Sequence, residues 1–193
     1  AALIYIFFFR NKRSRAQAPA EGGAEGYDAA LDEDQFAYSP VQPIKTADVA
    51  TDRPAAHFMT TFLAGDDLYD DSFSIDSASG EFLGECGVGI SDTVGVGDPK
   101  KVSAFEVWLF DKNDIQTVTK VLMSSRSMND ANTLQRLSAK GEPILVEPGK
   151  QIMLETASLQ LQAKVVEMVY GQGAMPSGSY FDRLTLELTV WPK

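Results

Sequence analysis

One cysteine and one histidine in 193 residues exclude more chemistry than any motif in the chain suggests. A lone Cys86 rules out an intramolecular disulfide and provides no cysteine-based metal cluster. A lone His57 leaves no two-histidine metal site, and a histidine-dependent triad could be built only through it. Thiolate formation needs a cation or a helix N-terminus nearby, and the apolar surroundings of Cys86 offer neither, so an inert buried thiol is expected there. His57, at the edge of a linker-like segment, is expected to be a solvated linker residue. Gly84, Gly87, Gly89, Gly95 and Gly97 crowd one stretch, but neither the dinucleotide fingerprint nor the Walker spacing is present and no helical pattern follows. These glycines are expected to form bulges and a hairpin loop, and no cofactor and no enzymatic activity are expected.

Positive charge is also scarce, and it is unevenly placed. Residues 1–15 carry four basic groups and no acid, residues 16–56 two basic and eight acidic groups, and residues 57–193 eleven basic and nineteen acidic groups. An acidic body repels nucleic-acid phosphates, which argues against nucleic-acid binding. The first nine residues are apolar or aromatic and run into Arg10, Lys12, Arg13 and Arg15. Cations closing an apolar run mark the cytoplasmic exit of a membrane span. Nine residues rise only about 13 Å where a crossing needs about 20 residues. Residues 1–15 are therefore expected to be the C-terminal part of a transmembrane helix, with the four cations at the lipid surface. The expected location is the cell membrane, single-pass, with the C-terminal domain cytoplasmic.

Residues 16–56 combine eleven alanines with Pro19, Pro40, Pro43 and Pro54 and show no sustained apolar period, so they are expected to be a flexible acidic linker. Residues 57–193 have the size of a single globular domain, and their dominant period is two. Strands are expected over residues 81–90, 102–111, 115–123, 151–156, 158–170 and 184–191, with hairpin chemistry at 112–114 and a type II turn at 147–150. One short helix is expected over residues 129–140, where cap-type residues precede Leu134 and Leu137 and Gly141 follows. The expected fold class is all-β, an antiparallel β-sandwich or barrel.

Two groups of residues are candidate sites. Asp66, Asp67, Asp70 and Asp71 are the only run with metal-ligand chemistry, since carboxylates on one loop can wrap calcium, although the spacing of an EF-hand is absent. The second group is aromatic. With Phe105, Val107 and Leu109 facing a core, Glu106, Trp108 and Phe110 fall on the other face of their strand, and Glu187 and Trp191 fall opposite the leucines of the last strand. Aromatics mixed with carboxylates have the composition of a partner-binding surface. The expected function is a membrane-anchored, non-enzymatic interaction or assembly module for an unknown protein partner. The alternative is a ligand- or calcium-binding sensor domain.

Overall fold

The computed structural model describes residues 53–193. The apolar run, its four cations and residues 16–52 of the linker lie outside the described residues. Among the described residues no helix is long and apolar enough to cross a membrane.

The described chain forms β1 (Ala56–Leu63), β2 (Asp70–Asp76), β3 (Phe82–Thr93), β4 (Val102–Asp111), β5 (Gln116–Met123), α1 (Ser125–Met128), α2 (Ala131–Ser138), β6 (Glu142–Leu145), β7 (Gln151–Glu155), β8 (Leu159–Tyr170) and β9 (Phe181–Pro192). The strands build two sheets, β1-β9-β8-β7 and β2-β3-β4-β5-β6. Every pairing is antiparallel except β5 with β6, where the two helices supply the crossover that a parallel pair requires. Phe62, Leu161, Leu186 and Leu188 from the first sheet and Ile75, Val88, Phe105, Val107 and Leu109 from the second share one buried core. The fold is therefore an all-β, two-sheet sandwich, in which alternate residues of each strand point inward and the rest outward.

The expected helix over residues 129–140 is α2, and one further short helix, α1, precedes it. Asn129 C-caps α1 and Asp130 N-caps α2, its carboxylate accepting from the Thr133 amide at 2.8 Å, so adjacent cap-type residues end one helix and start the next. The turn at residues 147–150 has Gly149 at φ +76° and the Lys150 amide donating to the Glu147 carbonyl at 3.1 Å, as the type II turn demands. Three strands went unread in the sequence. β2 carries two acids and two serines outward and only Phe73 and Ile75 toward the core, β6 is four residues with Pro143 on a sheet edge, and β1 begins at Ala56, where composition suggests linker. His57 accordingly sits in β1 opposite Thr189 and not in a linker; its side chain is exposed.

The strand directions give the sandwich two distinct ends. Ala56 pairs with Val190 and Leu63 with Arg183, so residues 53–55 and Lys193 lie at one end and the loops of residues 64–69 and 171–180 at the other. The loop of residues 94–101 joins the latter end, where its Lys100 amide donates to Asp67 Oδ1 at 2.9 Å.

Candidate functional site

The outer face of the five-stranded sheet is only partly covered. Ala104, Val121 and Met123 are sealed there by Leu137 of α2, with Leu134 and Met128 alongside. Farther along β4, Glu106, Trp108 and Phe110 face outward and are half-buried, with no helix over them among the described residues. The period-two reading of β4 therefore places these three side chains together on one face.

The glycines of β3 make this face. Gly87 lies beside Trp108 in the ladder, and a Cβ at Gly87 would sit 2.5 Å from indole Cζ2 and 2.7 Å from Cε2. The indole thus lies across the glycine backbone, the arrangement in which an aromatic ring compensates for a missing side chain in a sheet. One row along, Gly89 is paired with Asp70 on one side and Glu106 on the other. The register is unbroken from Gly84 to Ile90, so Gly87 and Gly89 sit in regular ladder and not in the expected bulges; the register shifts fall at Leu83, beside Gly84, and after Ile90. The physical reason is close approach: Gly84 meets the Phe110 carbonyl as Gly87 meets the indole. Gly95 and Gly97, by contrast, do take positive φ in the loop of residues 94–101.

Glu187 and Trp191 do not join this surface. They project from the outer face of the other sheet, with the whole core between the two groups. Glu187 accepts from His57 Nε2 at 2.9 Å and from Lys164 Nζ at 3.3 Å. The His57 bond, followed by that from Lys164, holds its carboxyl below the usual range. Among the described residues no helix covers this face, and Met59, Leu63, Val166 and Val169 are exposed.

The acid run separates in the same way. Asp66 and Asp67 belong to the loop and Asp70 and Asp71 to β2, where consecutive side chains leave opposite faces. Asp67 caps the Lys100 amide, and Asp71 accepts from the Thr60 hydroxyl, which also bonds the buried Tyr69 hydroxyl at 2.6 Å. Desolvation pushes Tyr69 up to about 12; the Thr60 bond opposes that rise and the Asp71, Asp66 and Asp70 charges add to it. Thr60, Tyr69 and Asp71 together pin the edge of one sheet to the edge of the other. Among the described residues no group of three acidic, histidine or cysteine side chains is placed to hold a metal ion.

Cys86 is fully buried and unpaired, and desolvation, then the Glu85 charge, lifts its thiol to about 12. Lys100 Nζ bonds the Asp67 carbonyl at 3.2 Å, and Lys101 Nζ lies 5.6 Å from the Tyr180 ring centroid. The loop end also holds a cleft of about 270 Å³ whose lining includes Asp67, Asp70, Gly89, Lys100 and Glu106. Sequence reasoning passed over that cleft because Asp70 was grouped with its chain neighbours and Glu106 with Trp108. The one signal that could have joined them is two glycines at i and i+2 in the central strand.

What the fold and these surfaces define is a β-sandwich whose outer faces, among the described residues, are covered only in part, by α1 and α2 on the five-stranded sheet. Compared with known proteins, the chain matches no family model, no characterised protein and no solved structure.

Proposed function

We propose that residues 57–193 form a non-enzymatic protein-interaction module, held at the cytoplasmic side of a membrane by residues 1–15, and that the partner docks on the outer face of the five-stranded sheet. The observation that carries this reading is the half-buried Trp108, an indole spread over Gly87 on the part of the face that α2 leaves open among the described residues. Half-buried aromatics ringed by carboxylates suit an interface, where Trp contributes more binding free energy than its area alone implies. The cluster Arg10, Lys12, Arg13 and Arg15 supports the cytoplasmic orientation through the charge bias of membrane flanks.

A photo-crosslinking amino acid at position 110 in whole cells tests the docking face, with the same probe at position 191 as its control. A discrete adduct from position 110 that Trp108→Ala abolishes is the expected result. Because the indole is only half-buried, Trp108→Ala should cost about 1–2 kcal/mol in a denaturant melt, below the 3–5 kcal/mol of a core tryptophan. A C-terminal reporter active only outside the cytoplasm should stay silent, and activity there would reverse the orientation.

A further inference from the structure

Along β3 the side chains of the outer face are missing at two successive outward positions, Gly87 and Gly89. Their rows carry Ser72, Gly87 and Trp108, and then Asp70, Gly89 and Glu106. Adjacent strands lie about 4.8 Å apart, so the backbones that bear Asp70 and Glu106 stand about 10 Å apart. Gly89 contributes no side chain between them, and the Asp70 carboxylate leans over it, Oδ1 3.0 Å from where a Cβ would sit. Among the described residues neither carboxylate has an ion-pair or side-chain hydrogen-bond partner, whereas nearby Asp67 and Asp92 do. Both line the 270 Å³ cleft, and the cation that shares it, Lys100, is tied to the Asp67 carbonyl. Two unpaired carboxylates and an indole on one open face leave a site for a cation with an apolar or planar body.

We infer that this trough receives an arginine side chain from an extended segment of the partner protein, its guanidinium bridging Asp70 and Glu106 and stacking beside Trp108. The inference rests on the docking face proposed above and names the chemistry of its occupant. Arginine suits the trough better than lysine, because a planar fork can bond two carboxylates at once and stack on an indole while a point charge cannot. The cation also gains from the indole face, by about 0.5–2 kcal/mol depending on desolvation.

The test uses the full chain, labelled with 5-fluorotryptophan and kept in an uncharged detergent, so that only two fluorine resonances appear and Trp191 on the opposite face serves as internal control. The probes are the peptide acetyl-Gly-Ser-Arg-Ser-Gly-amide, its citrulline isostere and its leucine counterpart. The expected result is a saturable shift of the Trp108 resonance with the arginine peptide alone. Asp70→Asn with Glu106→Gln should weaken that binding at least tenfold while leaving both resonances of the free protein in place. Equal shifts with citrulline or leucine would overturn the charge-based occupant and leave the docking face standing. No shift of Trp108 with any peptide would also overturn it, and the crosslink at position 110 would then decide separately whether that face takes a partner at all.

Discussion

At the scale of single residues, the most tightly held polar group is Asp111, the last residue of β4. Its carboxylate accepts from Thr156 Oγ1 at 2.6 Å, the Ser158 amide at 2.8 Å, Ser158 Oγ at 2.8 and 2.9 Å, and the Asn113 amide at 2.8 Å. These bonds tie the β4–β5 turn to the β7–β8 turn of the other sheet. Desolvation alone would raise its pKa, but the donors outweigh it, the Thr156 hydroxyl first, and bring it to about 2. A folded pKa below the unfolded value means stability that is complete above about pH 4 and lost as the pH falls toward 2, on the order of 2 kcal/mol. Urea melts of the protein and of Asp111→Asn should differ by about that amount at pH 6, and the gap should narrow between pH 4 and 2; a constant gap would contradict it. Four residues on, Ile115 holds φ +51° while 81% exposed. A β-branched residue pays about 1 kcal/mol for that backbone and buries little in return. Ile115→Asn should raise the melting temperature by a few degrees. In the sequence Asp111 read only as the end of a strand, because its four donors come from two turns, one of them 45 or more residues away in the chain.

At the scale of elements, what could be read depended on how one-sided each strand is. β4 was legible to the residue and β9 nearly so, because Phe105, Val107 and Leu109 of the one and Leu184, Leu186, Leu188 and Val190 of the other alternate with outward residues. β2 was not, since an edge strand that shows Asp70, Ser72, Ser74 and Asp76 to solvent resembles a loop by composition. The glycines of β3 read as bulges by spacing alone; a ring from the neighbouring strand fills the space at Gly87, and sequence spacing does not reveal a cross-strand neighbour. Gly87→Ala drives a Cβ against both the indole and the Asp71 carbonyl, each 2.5 Å away, and should cost about 1–3 kcal/mol, as overpacking does. Gly80→Ala is a poor control because of its φ of +82°, so Ala78→Gly in the exposed turn is the better reference and should change stability by less than 1 kcal/mol. Equal melts for Gly87→Ala and the parent protein would show that β2 and the indole do not close on Gly87 as the structure has them.

At the scale of the whole molecule, a sandwich converts one linear pattern into two surfaces. The sequence placed Glu106, Trp108, Phe110, Glu187 and Trp191 correctly on outward faces but could not tell that β4 and β9 belong to different sheets, because strand pairing is a long-range property. Two packed sheets stand about 10 Å apart, and outward side chains add to that separation. Among the described residues Trp108 and Trp191 therefore stand on opposite outer faces with the core between them. Substitutions at sites that far apart with no common partner add to within about 0.5 kcal/mol. The stability losses of Trp108→Ala and Trp191→Ala, measured singly and together by denaturant melts, should consequently sum without a coupling term. A coupling above about 1 kcal/mol would mean that both rings contact one group, and it would return the five residues to a single surface and the strands to a different sheet order.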